Sequence, residues 1–223
     1  MKKIMLFLFC IMLCASHSFA AELVFSPGAG FSAYTVHSLE VISGRTVEVS
    51  DKAATYTILA PSVGLDMHVI HETSGFTFSL IHNAAIPVTL NKKGGFGDAS
   101  MNVKGFMWDG QTLFGYTFGV KKPFSMHAGI GLGGALGYFH THTNAELLIN
   151  LYHAWTPIAL HLSFQYIFTK HFGIAIGLHD MVSFSGLVRS KAKLDDAGAN
   201  DKVSGIVGLG NVFTARIAAS FRF

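Results

Sequence analysis

Six residues of this 223-residue chain offer acid–base, ion-pair or ligand chemistry from the polar side of apolar runs: Asp66, His68, His127, His161, Gln165 and Arg216. A carboxylate and a guanidinium at similar depth in apolar surroundings must pair, because a lone buried charge is expensive. Imidazoles beside such a pair gain or lose charge near neutral pH. The six therefore read as a polar network that satisfies itself, or as a gate or plug responding to protons or a ligand. Three other patterns carry chemistry. His140-Thr-His142, with His153, places imidazoles at metal-ligand spacing. Gly129-Ile-Gly131-Leu-Gly133-Gly134 matches G-x-G-x-x-G, which holds a pyrophosphate only between a strand and a helix. His161-Leu-Ser163 pairs a base with a hydroxyl, and Asp180 is the nearby carboxylate that would orient the imidazole. The glycines continue a period of two with no acidic residue about twenty positions on, two alternating histidines are a weak ligand pattern, and His161 and Ser163 share the polar face. The expectation is no catalytic residue, no metal and no cofactor.

The elements that must position these residues are strands. In residues 59–69, Leu59, Pro61, Val63, Leu65, Met67 and Val69 alternate with Ala60, Ser62, Gly64, Asp66 and His68. Such contrast suits a wall with lipid on one face and a polar interior on the other. Eight runs repeat it, near residues 25–34, 59–69, 76–83, 114–120, 126–133, 158–168, 172–178 and 212–223. The fold class expected is all-β, a closed antiparallel eight-stranded transmembrane β-barrel. Tight turns at residues 72–75, 121–123 and 169–171 alternate with four long polar loops at residues 37–54, 91–111, 139–152 and 186–202. His82 and Asp180 fall on the lipid parity, so a bulge in either strand, or a place at the rim for Asp180, is expected. Trp108, Tyr116, Tyr138, Tyr152, Trp155 and Phe184 fall near strand ends, as interfacial anchors do.

Composition agrees with this topology. Half the residues are hydrophobic and 24 are Gly, yet beyond the N-terminus no run is long enough for a helical span. Residues 1–20 read as a signal peptide: Lys2 and Lys3, an apolar stretch over 4–13, and Ser18-Phe19-Ala20 as cleavage site. The barrel domain is then residues 21–223. Cys10 and Cys14 leave with the signal, so no disulfide is expected. Two of the 16 basic residues leave too, and 14 against 13 acidic residues gives a net charge of +1, in which nothing argues for nucleic acid, and none is expected as a partner. Eight tilted strands enclose a lumen that side chains fill or that holds one small ligand, so a wide pore is excluded.

The mature chain, by its cleavage site, four long loops and Ala219-Ser-Phe-Arg-Phe223 ending, resembles the small outer-membrane barrels: the outer membrane protein W, protein X and opacity-type families, and short spirochaetal barrels. The resemblance implies a bacterial outer-membrane location, both termini in the periplasm, lipid as solvent, and recognition of Phe223 by the barrel-assembly machinery. The protein W family implies a narrow, largely hydrophobic channel for small apolar solutes, against which Asp66 and Arg216 argue for a passage that is not wholly apolar. The function expected is a narrow channel or pocket for small solutes. The alternative is an interaction or adhesin-type barrel meeting host or environmental ligands through its four loops. His161-Leu-Ser163 also resembles the lipid A deacylases in spacing, but Phe164 stands where that family has Asn. A lipid-modifying enzyme is the remote third reading.

Overall fold

Strands close on themselves in the computed structural model, which describes residues 21–43, 46–48, 54–94, 98–142, 147–192 and 203–223. The signal-peptide segment, residues 1–20, lies outside them. The strands are β1 (Ala21–Ser43), β2 (Thr46–Glu48), β3 (Ala54–His71), β4 (Phe76–Ala85), β5 (Thr89–Gly94), β6 (Ala99–Phe118), β7 (Phe124–His142), β8 (Leu147–Ile167), β9 (Phe172–Ala192) and β10 (Val203–Arg222). All described pairings are antiparallel. β1 bonds β3 along one edge and β10 along the other, which closes the ring. β4 and β5 both lie between β3 and β6 and share one wall position. The wall thus has eight positions, with β2 a short addition to β1. Pro87, between β4 and β5, has no N–H to give to either neighbour, and there the strand breaks.

Period two decides which side chains face in. Phe78, Leu80, Phe114, Ile130, Leu160, Ile176 and Ile217 are on the outer surface, while Ser79, Asp66, His127, His161 and Arg216 are buried inside. Apolar residues outside and polar ones inside are the reverse of a water-soluble sheet packed on an apolar core.

The expected loops are mostly strand. Residues 91–111 contain part of β5 and the first half of β6, the described residues of 139–152 belong to β7 and β8, with 143–146 outside the described residues, and β1 and β9 run well into the other two. Lipid enforces apolar–polar contrast only where the wall touches it. Beyond the apolar band the same ladder continues with outward residues such as Ser100, Asn102 and Lys104 polar and inward ones such as Val103 and Met107 apolar, so the lipid-facing pattern is lost while the hydrogen bonding is not. β6 has 20 residues, about 65 Å of strand at ~3.3 Å per residue. At a tilt of ~40° this is a height of about 50 Å, roughly twice the apolar band of such barrels.

The bulge sits elsewhere than expected. His82 keeps its outward parity and stacks on Trp108, with ring centroids 5.8 Å apart. Asp180 also faces outward, accepting a hydrogen bond from Asn211 Nδ2. The register instead slips in β8, where Gly131 opposes Ala159 and Gly133 opposes Thr156. Pro157 is the extra residue. The Thr156 hydroxyl accepts from the Ile158 amide at 2.9 Å and has both the Ile158 carbonyl, at 2.8 Å, and the Val182 carbonyl as acceptors for its one proton. One inserted residue reverses the faces of everything before it. Trp155 therefore points outward, while Tyr152, expected as an interfacial anchor, is inside at 1% exposure and meets Tyr34 edge-on at 5.7 Å. The other five aromatics expected at the interface are exposed on the outer face.

Both described termini lie at the end with the tight turns. Gly75 and Gly119 adopt φ of 77° and 76° there, a region open to glycine without a Cβ clash. Phe223 exchanges backbone hydrogen bonds with Leu23 at 2.9 and 3.1 Å, so the last residue helps close the ring. Glu22 pairs with Arg222 at 2.5 Å, and Lys121 pairs with Glu72 across two turns. The Lys121–Glu72 pair is well exposed, so Glu72→Ala should change stability by less than about 1 kcal/mol in urea unfolding. A larger loss would show that this pair holds the turns together.

Candidate functional site

Ring closure brings residues far apart in sequence to one level of the lumen. Asp66 comes from β3 and Arg216 from β10, and they pair directly, with both side chains almost fully buried. Arg216 Nη1 also donates to Asn83 Oδ1 on β4 and, at 3.4 Å, to the His82 carbonyl. Its Nη2 lies 3.4 Å from His179 Nε2 on β9, and that nitrogen is 3.7 Å from Asp66 Oδ1. The guanidinium thus ties four wall positions to one point. Gly64 on β3 makes room for it, since a Cβ there would overlap Arg216 Nη1 and Asn83 Oδ1.

Four imidazoles stack next to the pair. His161 and His179 have ring centroids 4.5 Å apart, with their Nδ1 atoms at 3.0 Å. His68 lies 4.7 Å from His127 and 5.4 Å from His161. Ser79 Oγ bridges His68 Nδ1 at 2.7 Å and His127 Nε2 at 3.2 Å, and Thr117 Oγ1 meets His127 Nδ1 at 3.3 Å. Gln165 belongs to a separate layer, accepting from Ser125 at 3.1 Å and donating to Ser220. A cavity of about 10 Å³, room for about one water, lies among His68, His127, Asp66, Ser163 and Gln165.

All six residues expected in the lumen are there, and five of them form one cluster with Gln165 adjoining. His179, Ser79, Asn83, Asp109, Tyr34 and Thr117 complete it. Asp109 accepts from Asn83 Nδ2 at 2.7 Å and from Tyr34 OH at 2.8 Å, one donor per oxygen. Its part was hidden because residues 91–111 read as a loop. His179 was one step of period two beyond Gly177 and was legible.

Toward the end opposite the tight turns the lumen becomes predominantly apolar. Ile58, Ile81, Leu90, Val103, Met107, Phe139, Met181 and Leu187 pack there with Tyr34 and Tyr152. Met107 and Met181 lie against glycines: a Cβ on Gly137 or Gly133 would strike their sulfur atoms. The inward glycines of β7 therefore house side chains from other strands.

The remaining patterns are not assembled as sites. Asp180 and His161 point to opposite sides of the wall, so the nucleophile arrangement lacks its orienting carboxylate. The glycines of residues 129–134 lie within strand β7, with no helix after them. His140 opposes Ile149 while His153 opposes Leu136, so those two stand at different levels. The side chain of His142 lies outside the described residues.

The fold is similar to that of known outer-membrane barrels. Outer membrane protein OprG from Pseudomonas aeruginosa aligns with a TM-score of 0.61 at 16% identity, covering 91% of this chain and 96% of that one. The Ail attachment invasion locus protein of Yersinia pestis aligns at 0.44 with 13% identity over 90% and 98%. AlkL aligns at 0.46 with 13% identity over 91% and 90%. No curated protein matches the sequence. Residues 19–223 match the family described as Domain of unknown function (DUF2715), so the whole described barrel and every residue of its polar cluster belong to that family.

Proposed function

We propose that this protein is an integral outer-membrane barrel, with its termini and tight turns in the periplasm, that takes small apolar solutes into the outer half of its lumen. The observation that carries the reading is the division of the lumen. A predominantly apolar half rests directly on the buried Asp66–Arg216–His179 cluster, beside which lies a cavity of only about 10 Å³. Met107 and Met181 fill the apolar half at its boundary with that cluster. Unbranched thioethers repack at low cost, so these two can yield to a small apolar guest where a branched core could not. The polar cluster is then a seal toward the periplasm. The exposed apolar face of the wall supports the location.

Refolded protein tests this. Wild type in a planar bilayer should carry no steady ionic current, yet bind a small apolar dye saturably in vesicles. Met181→Trp, which fills the space, should weaken dye binding by about tenfold, equivalent to ~1.4 kcal/mol. A stable open-pore current, or dye binding indifferent to Met181→Trp, would overturn the reading. A second reading, contact with host or environmental partners, is favoured by the height of the wall beyond its apolar band. Replacing the outer extensions with short turns should then abolish binding while the barrel stays folded.

A further inference from the structure

We infer that His68, His127 and His161 form a binding site for a first-row divalent transition metal, Zn²⁺ by preference, inside the barrel. The inference is independent of the solute reading. One ligand nitrogen from each of the three rings lies within 4.8 Å of those of the other two, and all three residues are buried. A tetrahedral zinc with Zn–N bonds of about 2.05 Å needs nitrogens about 3.3 Å apart. The rings therefore close by at most ~1.5 Å, within reach of small side-chain rotations.

Burial alone would make this an ordinary histidine cluster. Three further observations point to a ligand. First, His161 Nε2 is buried with no hydrogen-bond partner among the described residues. An unpaired polar atom in such a place is costly, and a metal satisfies it. Second, Nδ1 of each ring is already held, His68 by Ser79 at 2.7 Å, His127 by Thr117 at 3.3 Å and His161 by His179 at 3.0 Å. This is the outer-shell pattern that fixes metal-ligating imidazoles and leaves Nε2 as the ligand. On His127 the metal would replace the 3.2 Å contact of Nε2 with Ser79. Third, a cavity of about 10 Å³ lined by His68 and His127, though not by His161, has room for a water beside two of the three rings.

Proton positions and charge are consistent with a cation. A metal on His161 Nε2 places that ring's proton on Nδ1, where His179 Nδ1 accepts it. The His179 proton then sits on Nε2, 3.7 Å from Asp66 Oδ1, which gives up the 3.4 Å contact of that nitrogen with Arg216 Nη2 while Arg216 stays with Asp66 and Asn83. The interior cluster places two carboxyl groups, Asp66 and Asp109, about one guanidinium, so an added cation meets no excess of fixed positive charge. Three imidazoles exclude Ca²⁺ and Mg²⁺, which need oxygen ligands, and suit Zn²⁺, Cu²⁺ or Ni²⁺. β3 and β7 are not neighbours in the ring, so the metal would join walls across the lumen.

Refolded full-length barrel, stripped with chelator, tests the site. Zn²⁺ should bind with one ion per chain in competition with a zinc-sensitive dye, and Co²⁺ should give the intense visible bands of four- or five-coordinate nitrogen ligation. Ser79→Ala, which removes an outer-shell contact and no ligand, should weaken Zn²⁺ by about 10–100-fold. His161→Gln should abolish the cobalt bands, and His153→Gln on the outer face should leave them unchanged. Zn²⁺ should raise the unfolding temperature of wild type in a concentration-dependent way. Cobalt spectra from wild type that show only six-coordinate ion, or zinc affinity equal in wild type, Ser79→Ala and His161→Gln, would overturn the inference. The wild-type cobalt spectrum decides the matter even if the histidine variant fails to fold.

Discussion

Replacing Arg216 with methionine should lower the unfolding free energy of the barrel by about 3–5 kcal/mol, the usual cost of leaving one member of a buried ion pair alone. The size follows from what the guanidinium touches. It donates to Asp66, Asn83 and the His82 carbonyl and lies against His179, all inside the wall. Without it, the Asp66 carboxylate faces a lumen with no other cation beside it among the described residues. Pairing that change with Asp66→Leu should recover more than half of the loss, because two apolar groups of similar volume remove both charges together. Urea unfolding of vesicle-inserted protein gives the comparison. A single variant within about 1 kcal/mol of wild type would mean that water reaches the pair and that the seal is not closed.

Deleting Pro157 should do more damage still. Without the extra residue, the half of β8 before it reverses its faces, because the side-chain period of a strand is two. Leu151, His153 and Trp155 would enter a lumen already occupied by Phe139, Met107 and Met181, and Tyr152, Ala154 and Thr156 would turn outward. Each overpacked residue costs about 1–3 kcal/mol, and three of them rival the 5–15 kcal/mol that holds a typical domain folded. The deletion variant should therefore fail to give folded barrel. Pro157→Ala keeps the residue count and the Thr156 hydrogen bonds, so it should fold and differ little. Circular dichroism after refolding distinguishes the two. Normal folding of the deletion variant would show that β8 tolerates either register, and the inward place of Tyr152 would lose its explanation.

Much of the fold was legible because lipid imposes a pattern. Leu59 to Val69, Phe114 to Phe118 and Phe213 to Phe223 each carry the alternation that a two-sided wall demands, and their faces are as the sequence implies. The candidate site was legible for the same reason. Asp66, His68, His127, His161, Gln165 and Arg216 all hold the inward parity, and a charged residue there needs a partner. His179 was equally readable, one step of period two beyond Gly177 on the inward face. Asp109 was not readable, since outside the apolar band nothing in residues 91–111 distinguishes a strand from a loop.

The sequence by itself determined the lipid-facing part of the wall: which segments cross the apolar band, which of their side chains face in, and that Asp66 and Arg216 must find opposite charge. These follow from local period and from the cost of a bare charge, and neither depends on knowing the neighbours. Only the tertiary structure decided who meets whom. Ring closure sets β3 against β10 through β1, which places Asp66 on Arg216 across 150 residues. It also stacks His68, His127 and His161 from three strands, and it shows Met107 and Met181 filling the space that inward glycines leave. The place of the bulge was likewise decided there, at Pro157 instead of at His82 or Asp180. A register shift costs the local sequence little, and its benefit lies in how the two faces of β8 fit their surroundings.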